Sequence, residues 1–143
     1  MESHIRNLSK EGIDGIVVGG TTGEGHALSV EEKKKLIDAA MAIKHGLHGA
    51  KRFEVIAGTG TYDLDEAALI ARHAKEKGCA AVLALPKKTA SQQEIEKFYS
   101  TLATRAPGIT LFAYNIPGLT GVHIEPQTVA RLVKKGLVGG VKD

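Results

Sequence analysis

A parallel α/β fold is what this sequence predicts, and three observations predict it. Five short aliphatic runs are apolar nearly throughout instead of alternating, as strands covered on both faces require. Helical patterns with strong start signals lie between those runs. The two kinds of segment alternate with a period of about 30 residues, the size of one strand-helix unit.

Taken in order, the residues before Gly12 read as a helix with Ile5 and Leu8 on one side, followed by a strand over Gly15–Gly19. Ser29 and Glu32 form a capping box that opens a helix running to about His45. After a strand over Glu54–Ala57, Asp63 caps a helix whose Ala67, Ile70, Ala71 and Ala74 make a helical-period stripe. A strand over Ala80–Leu85 leads to a second capping box, Ser91 with Glu94, and a helix that buries Ile95, Phe98, Tyr99 and Leu102. The fourth strand is Thr110–Tyr114. Pro126 then stands in the first turn of a helix bearing Val129, Leu132 and Val133, where a missing N–H costs nothing. A last strand covers Leu137–Val141, and Gly12, Gly46, Gly78 and Gly136 fall where helices end. This order suits an open doubly wound sheet or part of a (β/α)8 barrel, and residues 1–143 read as one partial domain.

Bulk properties exclude several classes. The chain has 143 residues, 43% hydrophobic and 24% charged, an ordinary globular composition. Its net charge is +3, but the lysines of the runs 33–35, 87–88 and 134–135 read as solvated faces. With 4% aromatic residues and no RNA-binding signature, no nucleic-acid partner is expected. The single Cys79 lies in an apolar run and reads as a small buried thiol. No secretory leader and no membrane-spanning stretch is legible, so no membrane partner and a cytoplasmic location are expected. His45 and His48 straddle Gly46 and lack ligand spacing, so no metal site is assigned.

In parallel α/β folds the chemistry collects beyond the C-terminal ends of strands. The first such end is Gly19-Gly-Thr-Thr-Gly-Glu24. Gly20 and Gly23 allow backbone N–H groups to approach an anion, and Thr21 and Thr22 add hydroxyl donors. A nucleotide-binding loop would need lysine after the last glycine, where Glu24 stands. Lys142 closes an apolar strand. On a barrel's inner end a lysine is partly desolvated, which favours the neutral amine that attacks a ketone; the alternative is a lysine marking a solvated strand end. Tyr114 also ends a strand, as a proton relay or as a core aromatic with a satisfied hydroxyl.

Together, Gly19-Gly-Thr-Thr-Gly-Glu24, Tyr114-Asn-Ile-Pro-Gly-Leu-Thr-Gly121 and Gly140-Val-Lys-Asp143 resemble the dihydrodipicolinate synthase/N-acetylneuraminate lyase family over nearly the whole chain. The resemblance implies a (β/α)8 TIM barrel, here incomplete with about five parallel strands, the second to the sixth of the family. It implies a homo-oligomer, a tetramer in the family, and a Schiff-base lyase or aldolase acting on pyruvate or a 2-keto sugar acid. Lys142 matches the imine-forming lysine, so no metal or organic cofactor is implied. Tyr114 matches the proton-shuttling tyrosine. Thr21 and Thr22 match the hydroxyl pair that binds the pyruvyl carboxylate and joins the relay.

Two departures stand out. Lys87 and Lys88 replace a pair of family tyrosines, and Lys88 is expected near Lys142, where like charge would favour the neutral amine. Leu119 replaces the arginine usual in synthases making dihydrodipicolinate, which resembles the sialic acid lyase branch or the sugar-acid aldolases more closely. Five strands leave open sheet edges. A catalytically inactive partner of full-length barrels, and 4-hydroxy-tetrahydrodipicolinate synthase proper, are the alternative functions.

Overall fold

The computed structural model describes residues 1–47 and 53–143; His48 lies outside them. The strands are β1 (Gly15–Val18), β2 (Glu54–Gly58), β3 (Ala81–Ala84), β4 (Thr110–Tyr114) and β5 (Gly140–Lys142). Every pairing is parallel, and the order across the sheet is the order along the chain. A doubly wound sheet reverses at a switch point, and this one never does. The winding is that of a barrel wall.

The helices are α1 (Glu2–Lys10), α2 (Val30–His45), α3 (Leu64–Lys77), α4 (Gln92–Arg105), the short α5 (Pro117–Thr120) and α6 (Pro126–Lys134). Both capping boxes form: Ser29 and Ser91 accept from the backbone N–H of Glu32 and Glu94, whose carboxylates accept the serine N–H groups in return. These hydrogen bonds hold both carboxyls below the ordinary glutamate range. Asp63 caps α3 through the N–H groups of Asp65 and Glu66.

Three helices end in the same way. At Gly12, Gly78 and Gly136 the chain turns through φ of +85°, +84° and +67°. The next residue, Ile13, Cys79 or Leu137, donates its N–H back to Leu8, Ala74 or Leu132. This is the Schellman geometry, with glycine in the left-handed position and an apolar residue following it. Gly46 differs: it ends α2 at φ −89°.

That motif accounts for one misreading. The apolar run Leu137–Val141 is not all strand; β5 begins only at Gly140. Leu137 is apolar because it follows the capping glycine, and Val138 because it is buried in the core beneath the sheet. Val133 is 45% exposed, since no element of the described residues covers that flank of α6. Cys79 is buried as expected, and burial pushes its thiol up to about 11, so it stays protonated.

Strand alternation separates two apolar layers. Val55, Ala57, Val82, Ala84, Leu111 and Ala113 face the helices and meet Ile37, Ile70, Ile95, Leu102 and Leu132 in the main core. Leu83, Leu85 and Tyr114, with Ile56 and Phe112 against them, form a smaller cluster on the opposite, inner face. Val17 and Val141, on the two edge strands, are 48% and 41% exposed. No helix among the described residues is long and apolar enough to cross a membrane.

Among the described residues, one buried side-chain group is unmatched: the Thr59 hydroxyl, in a fully buried residue just past β2, has no hydrogen-bond partner there. Thr59→Val keeps the shape and removes the desolvated oxygen, so it should raise unfolding stability by about 1 kcal/mol, read as a higher denaturant midpoint at unchanged slope.

Candidate active site

β4 and β5 pair with Tyr114 opposite Lys142. Neighbours in register project to one face of the sheet, so the phenol and the amine share the inner face. Lys142 Nζ donates to the Tyr114 hydroxyl at 3.4 Å and stands 4.5 Å from the centre of its ring. The backbone of Tyr114 is fixed from the helix side: its N–H donates to the Tyr99 hydroxyl at 3.3 Å, which donates to the Ala84 carbonyl at 2.8 Å. A tyrosine of α4 thereby spans the tops of β3 and β4. Burial pushes the Tyr99 phenol well up, so it remains a donor.

The third member comes from the far side of the sheet. Thr21 Oγ1 lies 3.2 Å from the Tyr114 hydroxyl, although Tyr114 ends β4 and Thr21 follows β1, with β2 and β3 between them. In a flat sheet three strand spacings amount to about 14 Å. The contact therefore requires the wall to roll, and it measures the curvature of a barrel.

Glycines allow the roll at the rim. A Cβ on Gly25 would stand 2.0 Å from the Gly19 carbonyl oxygen, one on Gly58 2.6 Å from that same atom, and one on Gly60 2.7 Å from the Gly25 oxygen. The loops after β1 and β2 thus touch backbone to backbone. Lys33 reinforces the contact by donating to the Gly60 carbonyl at 3.2 Å. This corrects the reading of its lysine run as solvated. Lys33 is only 3% exposed, and burial holds its ammonium below the usual lysine range.

The remaining expectations divide. Thr21, Gly20 and Tyr114 line one hollow with Gly58, Leu85 and Leu119. Thr22 and Gly23 lie on the exposed outer part of the turn, and Thr22 makes no side-chain hydrogen bond among the described residues. The hydroxyl that faces the Tyr114 phenol is thus that of Thr21, while Thr22 lies away from it. Lys142 is exposed, because β5 is an edge strand, so the described residues do not supply the expected dry environment. The Lys88 ammonium lies 5.0 Å over the Tyr62 ring; its contact is with that ring rather than with Lys142. Tyr62 in turn donates to the Leu119 carbonyl at 3.3 Å, and burial raises its phenol. No group of three potential metal ligands occurs among the described residues.

A barrel wall carrying lysine, tyrosine and threonine at its rim can be compared with known proteins. The profile of the "Dihydrodipicolinate synthetase family" matches residues 1–143. The chain belongs to this family. It is 42% identical over 145 residues to a 4-hydroxy-tetrahydrodipicolinate synthase of Thermodesulfovibrio yellowstonii, covering 100% of this chain and 46% of the relative. It is 35% identical to a 2-dehydro-3-deoxy-D-gluconate/2-dehydro-3-deoxy-phosphogluconate aldolase of Thermoproteus tenax, over 99% and 43% of the two chains. Among solved structures, the chloride-inhibited dihydrodipicolinate synthase of Acinetobacter baumannii complexed with pyruvate superposes with a TM-score of 0.86 at 31% identity, covering 100% and 49%. The fold is therefore that of the family's barrel, and the chain spans about half the length of the relatives it matches.

Sequence reading assigned no site role to Gly25, Gly58 or Gly60 and set Lys33 on a solvated face. The glycines were legible only as a strand-end pattern, because which backbones they bring together is a tertiary property. Gly25→Ala should unfold the chain at lower denaturant, by about 1–3 kcal/mol, because its Cβ meets backbone that cannot yield. Gly23→Ala, whose Cβ would meet nothing nearer than 3.7 Å, should leave the midpoint unchanged.

Proposed function

We propose that the chain carries the imine-forming machinery of a class I lyase or aldolase acting on pyruvate or a related 2-keto acid. The observation that carries this reading is the continuous run from Lys142 Nζ to Tyr114 Oη to Thr21 Oγ1, at 3.4 and 3.2 Å. The amine adds to the keto carbon, and the resulting alkoxide takes a proton from the Tyr114 phenol. The phenolate so formed recovers a proton from the adduct's ammonium nitrogen, then passes it to the carbinolamine oxygen, which leaves as water. Solvent returns a proton to the phenolate by way of Thr21. The protonated imine that remains is the electron sink for making or breaking the adjacent carbon–carbon bond, so the reaction uses no metal or organic cofactor. Thr21, Thr22 and the backbone at Gly20 and Gly23 hold the keto-acid carboxylate. Pyruvate in the Acinetobacter structure supports this substrate class.

Leu119 lines the hollow and offers no charge to a second carboxylate, which favours a lyase or sugar-acid aldolase. The synthase names of the nearer relatives favour 4-hydroxy-tetrahydrodipicolinate synthase as the second reading. The exposure of Lys142 favours a third, a silent partner of complete barrels. Association as a homo-oligomer in the cytoplasm accompanies the leading reading, as the family resemblance implies.

Borohydride reduction in the presence of pyruvate, followed by peptide mass spectrometry, should place a single pyruvyl adduct on Lys142. Lys142→Ala should abolish it, and Tyr114→Phe should slow its formation about 100-fold, the scale of general acid–base assistance. A folded chain that gives no adduct, or one labelled indiscriminately on its exposed lysines, excludes the reading.

A further inference from the structure

We propose that Asn115 is a positioning residue that seats Lys142 through a latch made with Asp143 and His123; the proposal rests on Lys142 being the reacting amine. Asn115 is buried at 5% exposure, directly after the relay tyrosine. Its backbone N–H donates to the Lys142 carbonyl at 2.8 Å, the last rung joining the two strand ends. Its side chain is fully engaged. Nδ2 lies 3.0 Å from both Asp143 Oδ1 and His123 Nδ1, and Oδ1 accepts the Ile124 N–H at 2.9 Å.

The bonding capacity of a carboxamide fixes this arrangement. Nδ2 has two hydrogens and two acceptors face it, while the one backbone donor faces the oxygen. Turning the amide over would set its oxygen against the Asp143 carboxylate and its NH2 against the Ile124 N–H. The amide therefore has one orientation, and that orientation requires His123 Nδ1 to be unprotonated. The groups facing the His123 ring are this amide and, beyond it, the Asp143 carboxylate; the His123 carbonyl accepts from Gln92 at 2.8 Å.

Lys142 is thus held at its own carbonyl and at the side chain of the following residue, leaving its long side chain as the moving part. The other end of the latch is equally firm. Gln92 of α4 also accepts the Glu125 N–H, and the buried Thr120 hydroxyl shares its one hydrogen between the Ile116 and Val122 carbonyls, 3.1 and 2.9 Å away, within the same segment. Because β5 is an edge strand, no outer strand among the described residues holds Lys142 in place. Asn115 does this from the inner neighbour.

Asn115→Asp keeps the shape but faces one carboxylate with another. It should slow pyruvate trapping at Lys142 by at least about tenfold, the scale of a misplaced reacting group. Asn115→Asp combined with Asp143→Asn restores donor to acceptor at that contact, with the His123 ring turning to its Nδ1–H form against the new carboxylate, and should recover the native rate to within about threefold, as coupled neighbours do. The rate of Lys142 acetylation by acetic anhydride, relative to Lys134, should change and recover in parallel, and it reads the latch without any imine. Absence of a pyruvyl adduct in the unaltered chain, with the acetylation pattern as stated, ends the function proposed above and leaves the latch standing. Equal acetylation and trapping in the folded Asn115→Asp chain overturns the latch, as does failure of the double variant to recover. If Asn115→Asp does not fold, nitrogen NMR of the unaltered chain decides. An unprotonated Nδ1 in the neutral His123 ring upholds the latch, and an Nδ1–H tautomer overturns it.

Discussion

Registry between two short strands is the constraint on which the rest of the site depends. Phenol and amine meet because Tyr114 and Lys142 are partners in a parallel ladder, and a slip of one residue would turn Lys142 to the helix side. The register is set from below by the Schellman turn at Gly136, which fixes where the chain leaves α6. Gly139 and Gly140 then let β5 lie close to β4: a Cβ on the first would stand 2.7 Å from the Thr110 methyl, and one on the second 3.1 Å from the Phe112 ring. From above, the rung from Asn115 to Lys142 closes the ladder. A three-residue strand at the sheet edge has little cooperativity of its own, so its placement depends on these flanking devices.

Much of the architecture was legible because it rests on local rules. Both serine capping boxes, the Asp63 cap and the helix-ending glycines at 12, 78 and 136 behave as their residue types dictate. The apolar faces of α3 and α4 are buried where their periodicity put them. Leu137 and Val138 misled because a strand run and the apolar residues after a capping glycine have the same composition. Lys33 misled because charge runs are usually solvated, and nothing local shows that one of three consecutive lysines points inward.

The candidate site was legible as residues but not as an arrangement. Lys142, Tyr114 and Thr21 could be named from strand ends, and the structure brings them together. Which threonine faces the phenol could not be read, since a turn through Gly23 and Glu24 decides it, with Glu24 itself at φ +53°. Asn115 lies inside a motif used for resemblance, yet its four hydrogen bonds link residues far apart in sequence and become visible only once the chain is folded.

The contact between Thr21 and Tyr114 has a mechanical meaning as well as a chemical one. It is a chord drawn across an arch of four strands, and a chord fixes the span of the arch beneath it. The length of that chord and the bend of the wall are therefore one quantity: Thr21 and Tyr114 stay in reach of each other only while β1 to β4 keep their curvature.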